Sequence, residues 1–142
     1  TNSVNLGVNL YSKFSKYNYI SLDKREWLLG IQSKIIDLKK IRKTMNKKSI
    51  ASITLGDKGA KIIDNKREYY CPTLVKSVKD TTGSGDSYHV ITSLMYMTKL
   101  LNPLAIVFLG NLYAGMHGQN LGNTNIVSKN KFFQNLLSII NI

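Results

Sequence analysis

Apolar and polar positions follow two different periods along the chain. Ile50-Ala-Ser-Ile-Thr-Leu55 is short, β-branched and almost continuously apolar, the pattern of a strand buried on both faces, and Gly56-Asp57-Lys58-Gly59 closes it as a turn. Ala60-Lys-Ile-Ile63 and Arg67-Glu-Tyr-Tyr70 flank Asp64-Asn65 and predict a hairpin. Tyr19-Ile-Ser-Leu22 predicts another short strand. Elsewhere the spacing is helical. Residues 4–16 suit a helix ending near Tyr17-Asn18. Asp23 is placed to cap a short helix, with Glu26 at its third position as the reciprocal partner, and Gly30 ends it. Ile35, Ile36, Leu38, Ile41 and Met45 recur at three- and four-residue spacing, predicting a helix over roughly 32–46. After a connector over 71–79 that holds Pro72, residues 84–101 read as a largely apolar helix. Asn102-Pro103 starts another, running to about Asn120. Gly122 to Ser128 is a loop, and 129–140 is a last helix.

The order helix–strand–helix–helix–strand–hairpin–helix–helix–helix points to an α/β fold. The strands are too few for a complete doubly wound sheet. Residues 1–142 therefore read as a single α/β unit, either minimal or the C-terminal part of something larger. The absence of an initiator methionine favours the second.

Composition narrows the class. At 142 residues, 43% hydrophobic and 20% charged, the chain suits one globular domain rather than a disordered or fibrous protein. Its longest apolar stretch, Leu104 to Leu109, is far too short to cross a membrane. The N-terminus has no basic-then-apolar leader pattern. The lone Cys71 has no partner for an internal disulfide, so a cytoplasmic setting is expected.

Charge changes the picture more. Twenty Lys+Arg against eight Asp+Glu give a net charge of +12, which attracts polyanions without choosing among them. Lys34, Lys39, Lys40, Arg42, Lys43, Lys47 and Lys48 crowd one segment, making an amphipathic helix with a basic outer face. A solvated helix face is the simplest reading of such a run. No aromatic residue interleaves with these lysines, so base stacking has no platform and nucleic acid is not the favoured partner.

The segment with chemistry in it is Asp80-Thr81-Thr82-Gly83-Ser84-Gly85-Asp86, just ahead of a long apolar helix. Small residues at a helix N-terminus leave amide N–H groups pointing outward, and the helix dipole adds partial positive charge. Such a surface suits phosphate. A carboxylate beside it, Asp86, is costly unless it has a task, and taking a proton from an attacking hydroxyl is one. The plain structural alternative is a helix cap, with Asp80 or Ser84 capping and Asp86 as an acidic first-turn residue.

This heptad resembles the C-terminal signature Asp-Thr-x-Gly-Ala-Gly-Asp of the ribokinase-like (PfkB) sugar kinases. The resemblance implies that Asp86 is the base that deprotonates a sugar hydroxyl, and that Gly83, Ser84 and Gly85 form the anion hole for the transferred phosphoryl group. Val90 and Ile91 stand where the family has two small residues, and Ile91 is a departure. Ile53-Thr-Leu-Gly-Asp-Lys-Gly-Ala60 is similar to the family's T-L-G-x-x-G-A turn along the nucleotide phosphates, through Thr54, Gly56 and Gly59. Ile20-Ser-Leu-Asp-Lys-Arg-Glu26 is similar to I-S-P-N-x-x-E, whose polar residues organise Mg²⁺ and phosphates through water. Leu22 and Asp23 replace proline and asparagine, and Glu26 matches. Gly110-Asn111 resembles the helix bordering adenine, with Asn111 as the matching residue. Leu121-Gly-Asn-Thr124 and Ser128 resemble the loop that, with Asp80 and Thr82, holds a monovalent cation such as K⁺. The wording near 110 and 121 leans toward the heptose-phosphate kinase and nucleotidyltransferase-linked branches.

The resemblance covers roughly 18–140 and implies the C-terminal part of a three-layer α/β/α fold, a mostly parallel sheet plus a β-hairpin, without the N-terminal sugar-binding half. It implies ATP and Mg²⁺ as cofactors, a sugar or sugar-phosphate substrate, and no membrane. The sheet edge left by the missing half would favour pairing of two copies. Two other readings compete with a catalytic one: a kinase-like module that binds nucleotide for assembly or regulation, and a basic nucleic-acid-binding domain supported only by the net charge. His117, Trp27, Tyr69, Tyr70, Tyr88 and Tyr113 read as packing or surface residues, His89 as the same with substrate contact as the alternative, and Cys71 as a thiol with no neighbouring base in sequence.

Overall fold

A computed structural model describes residues 9–14, 17–75, 77–121 and 126–141. Strand β1 (Tyr19–Asp23) leads directly into helix α1 (Lys24–Gly30), and α2 (Leu38–Lys43) precedes β2 (Ile50–Thr54). Strands β3 (Ala60–Ile63) and β4 (Glu68–Cys71) form the hairpin, and α3 (Ser84–Thr98), α4 (Pro103–Gly118) and α5 (Lys129–Ile140) follow. The sheet order is β1-β2-β3-β4. β1 pairs with β2 in parallel from Tyr19↔Ile50 to Asp23↔Thr54. The other two pairings are antiparallel.

Alternation along β2 divides the core between two faces. Ala51 and Ile53 pack with Leu22, Trp27, Ile31, Ile41 and Ile63 on the α1–α2 side. Ile50 joins Ile62, Cys71, Tyr88, Ile106 and Val107 on the α3–α4 side. A parallel pairing needs both faces covered, and helices on both sides supply that. The result is the expected three-layer α/β/α arrangement with a hairpin, but among the described residues only one of the three pairings is parallel rather than most, because the short turns joining β2, β3 and β4 allow only antiparallel neighbours. A third cluster, Leu112, Met116 and Val127, seats α5 against α4.

Buried hydroxyls tie the layers together. The Ser52 and Tyr88 hydroxyls share a hydrogen bond of 2.7 Å, and Trp27 Nε1 donates to the Ser52 carbonyl at 2.8 Å. The Thr92 hydroxyl donates to the Tyr88 carbonyl at 2.7 Å and also contacts the Tyr19 hydroxyl. Gly110 lets α4 close on this pair, since a Cβ there would lie 2.3 Å from Thr92 Cγ2.

Several elements differ from the sequence reading. The described part of 4–16 is one 3-10 turn, Tyr11–Lys13, with Phe14 extended after it. The rest of that span lies outside the described residues. The basic helix shrinks from 32–46 to Leu38–Lys43. Asp37 ends it upstream, its carboxylate accepting from the Lys39 and Lys40 amides, and Gln32 takes a positive φ of 49°. Ile35, expected on the apolar stripe, is 72% exposed. Helix α3 stops three residues early, where Lys99 turns left-handed. Asn102 caps α4 with Pro103 in the first turn, as expected, though α4 ends at Gly118 rather than near Asn120. No helix among the described residues is long and apolar enough to cross a membrane.

Candidate active site

The carboxyl ends of β1 and β2 carry Asp23 and Thr54, which are register partners. Open α/β sheets bind ligands beyond such ends. Asp23 forms the expected capping box: its Oδ1 accepts from the Glu26 amide at 2.8 Å, and Glu26 Oε2 accepts from the Asp23 amide at 3.0 Å. One oxygen of each carboxylate is thereby committed to backbone, and the box holds both side chains at the mouth of the sheet.

The turn after β2 is held by its own backbone. Leu55 N–H donates to the Gly59 carbonyl at 2.9 Å, and Gly59 N–H to that of Gly56 at 3.1 Å. Gly56 has φ +63° and Gly59 φ +88°. At Gly59 a Cβ would lie 2.2 Å from the Cys71 carbonyl oxygen, so glycine is demanded twice over. The Tyr70 hydroxyl donates to the Lys58 carbonyl at 2.8 Å, and the Thr73 hydroxyl to that of Asp57 at 2.6 Å.

The third component is the start of α3. Gly83 is left-handed at φ 74°, and no side chain caps the helix. The capping half of the simple alternative is therefore not adopted, Asp80 Oδ1 accepting instead from the Thr82 amide at 2.8 Å, whereas Asp86 does stand as the acidic residue of the first turn. The Gly85 and Asp86 amides keep their first-turn positions without a capping oxygen, the arrangement that attracts anions. Gly85 is open, a Cβ there meeting nothing within 4 Å. The Ser84 hydroxyl is buried without a protein partner. From the other side, the Gly118 carbonyl accepts from the Lys79 and Asp80 amides at 2.8 and 3.1 Å, clamping the loop onto the end of α4.

These three segments meet. Asp23, Glu26, Thr54, Gly83, Gly85 and Asp86 line one cavity of about 760 Å³. Tyr11, Tyr19, Ser21 and His89 line it as well. The sequence reading passed over these four as site residues. Tyr19 faces His89 with ring centroids 5.7 Å apart, a pairing between β1 and α3 that no local pattern announces. Burial pushes the Tyr19 phenol up and raises that of Tyr11 to about 12, so both present neutral groups.

The remaining expected residues lie around this cavity rather than in its lining. Gly56 and Gly59 form the turn two residues beyond Thr54. Asn111 reaches the end of β4 from α4, its Nδ2 donating to the Cys71 and Pro72 carbonyls at 3.0 and 2.6 Å. It thus braces the strand against which Gly59 packs. Asp80 and Thr82 sit on the loop entering α3, where the Thr82 carbonyl lies 3.2 Å from His117 Nε2. Residues 122–124 lie outside the described residues, and the Ser128 hydroxyl caps α5 by accepting from the Lys131 amide. Burial pushes the Cys71 thiol up.

Among solved structures, the chain is similar to a ribokinase from Thermotoga maritima (TM-score 0.75, 20% identity), covering 92% of this chain and 46% of that one. It is similar to an adenosine kinase from Sinorhizobium meliloti (TM-score 0.75, 20% identity, 91% and 39% covered). A probable sugar kinase from Rhizobium etli gives TM-score 0.71 at 24% identity, with 86% and 36% covered. The chain thus spans less than half the length of these structures, and at such identities the likeness shows the fold. No curated protein matches the chain. The model of the pfkB family of carbohydrate kinases matches residues 13–95, which is more than half of the chain and includes β1, the turn after β2 and the start of α3. The chain therefore belongs to the pfkB carbohydrate kinase family.

Proposed function

We propose that this chain carries the nucleotide-binding, base-bearing portion of a kinase that moves the terminal phosphoryl group of ATP to a sugar or sugar-phosphate hydroxyl. The observation that supports the reading is the convergence of Asp23–Glu26, Thr54 and Gly83–Asp86 on one cavity. Asp86 accepts the proton of the attacking hydroxyl. The amides of the first turn of α3 face the oxygens of the group in transit, and the glycines keep that surface clear. Thr54 and the Gly56–Gly59 turn lie along the nucleotide phosphates. Positioning and electrostatics of this kind are what phosphoryl transfer asks of a protein. Asn111 supports the turn from behind through Cys71 and Pro72.

The donor set fits Mg²⁺ in a limited way. Among the described residues no cluster of three or more His, Cys, Asp or Glu could hold a metal by itself. Asp23 and Glu26 offer hard oxygens at the cavity, which suits an ion held mainly by phosphates and water. When bound, Mg²⁺ supplies neutralisation of phosphate charge. Asp80 and Thr82 sit on the loop entering α3, with Asp80 Oδ1 accepting from the Thr82 amide, and are the residues that would help to hold K⁺. The Gly110-Asn111 and Leu121–Thr124 wording leans, within the family, toward the heptose-phosphate kinase and nucleotidyltransferase-linked branches.

The test is calorimetry of ATP·Mg²⁺ binding to the wild-type chain and to Gly85→Val. Position 85 has room for a side chain, so the variant keeps the fold and obstructs the anion surface. Saturable binding to the wild type, lost in the variant, is expected. Equal binding to both would remove the α3 N-terminus from the nucleotide site. Binding to neither would overturn the reading for this chain.

A further inference from the structure

At the end of the sheet away from Thr54 and Asp86, cations distant in sequence are brought together. β2 enters the sheet at Ile50, so the loop at 46–49 lies at that far end. Ile63, the last residue of β3, pairs with Ala51, which puts the 64–67 turn at the same end. Asn65 Nδ2 joins the two loops, donating to the Asn46 and Lys47 carbonyls at 2.7 and 3.1 Å. Arg42 Nε donates to the Asp64 carbonyl at 3.1 Å, fixing the last turn of α2 to the same turn. Arg42, Lys43, Lys47, Lys48, Lys66 and Arg67 are therefore all carried at this end of the sheet, Lys48 on the α3 side, where the Tyr96 hydroxyl donates to its carbonyl.

Its acidic residue is already engaged. The Asp64 carboxylate accepts from the Lys66 and Arg67 amides at 2.7 and 2.5 Å and from the Tyr69 hydroxyl at 3.2 Å. Glu68 pairs with Lys61. None of the six cations forms an ion pair among the described residues. The exposed large apolar side chains lie outside both loops, so there is no wedge for a lipid surface.

We propose that this surface binds the phosphate backbone of a nucleic acid without reading its sequence, independently of the kinase site. Several point charges on loops braced by backbone hydrogen bonds suit a ligand whose charges repeat along a chain. The sequence pattern alone argued for a solvated face. What changes the reading is that Lys66 and Arg67 join the cluster only through the hairpin.

The test uses the 142-residue chain and a fluorescein-labelled, mixed-sequence 20-nucleotide RNA, read by anisotropy between 50 and 200 mM salt. With about five phosphates neutralised, affinity falls roughly hundredfold across that range. Lys47→Gln with Lys66→Gln flattens the log–log salt slope by about 1.4, whereas Lys129→Gln with Lys131→Gln on α5, equal in charge, leaves it unchanged. Calorimetric ATP·Mg²⁺ binding is the same in both pairs. Absence of saturable RNA binding at 50 mM salt overturns the proposal, as does equal weakening by the two pairs, which would mean net charge alone. Binding to phosphatidylserine vesicles in place of RNA would assign the patch to a membrane surface and overturn it too.

Discussion

The turn after β2 offers a comparison between two glycines that share a backbone demand and differ in their surroundings. Both have positive φ, +63° at Gly56 and +88° at Gly59. An added Cβ at Gly56 meets nothing within 4 Å. At Gly59 it would lie 2.2 Å from the Cys71 carbonyl oxygen and 2.7 Å from the Pro72 carbonyl carbon, both of them backbone. Gly56→Ala therefore costs only the left-handed conformation, about 1 kcal/mol. Gly59→Ala costs more in backbone terms too, since φ 88° with ψ −138° is a region that glycine alone adopts readily, and it must also push the turn off β4, loosening contacts that Asn111 and Tyr70 make there. Strain in such a backbone region runs to about 1–3 kcal/mol. With the displaced packing added, at least about 3 kcal/mol is expected. For a domain of this size that separates the midpoints by several degrees, at roughly 2–4 °C per kcal/mol. Trp27, the single tryptophan, is fully buried and bonded to Ser52, so its fluorescence reports unfolding in urea. The wild type and both variants should unfold in the order Gly59→Ala, Gly56→Ala, wild type. Equal midpoints for the two variants would refute the close approach of Gly59 to Cys71 and Pro72.

Two further outcomes follow from the same geometry. On the proposed function, Asp86→Asn in protein that transfers phosphate lowers turnover by about 10²–10⁴ while leaving the urea midpoint near that of the wild type, because the side chain is exposed; near-normal turnover would remove Asp86 from the role of base. Burial pushes the phenols of Tyr11, Tyr19 and Tyr88 above 10 in the folded state, so the unfolded chain releases their protons first. Stability is therefore fully present below about pH 10 and falls as pH rises through the raised values, with Tyr11 titrating near 12. A urea midpoint that stays flat between pH 9 and 11.5 would contradict this.

Much of the fold was legible because it rests on local rules. The strand at Ile50–Thr54, the hairpin around Asp64-Asn65, the Asp23–Glu26 box and the Asn102-Pro103 start each depend on neighbours within a few residues. The basic helix was overextended for a physical reason. Three- and four-residue spacing at 32–46 resembles a helix throughout, but Asp37 gives its carboxylate to the Lys39 and Lys40 amides, and Lys40 Nζ closes back on the Ile31 and Gln32 carbonyls. Those bonds stabilise turns ahead of position 38, and periodicity does not register them.

The site divides along the same line. Asp86 and its glycines were readable as a candidate phosphate-binding helix start because small residues ahead of an apolar helix leave its first amides open, although a plain cap fitted the same pattern. Their meeting with Asp23, Glu26 and Thr54 was suggested by resemblance, and the tertiary structure brings it about through the parallel register of β1 and β2. Tyr19 and His89 belong to elements seventy residues apart and touch only because α3 packs beside β1. Asn111 looked like a ligand neighbour, and packing puts it on the Cys71 and Pro72 carbonyls. Sequence alone determined which segments could be strand, helix or anion-binding turn, since backbone sterics, caps and periodicity act over a few residues. Only the tertiary structure decided which of these ends share a cavity and which charges share a surface, because both depend on how sheet register and helix packing bring distant residues together.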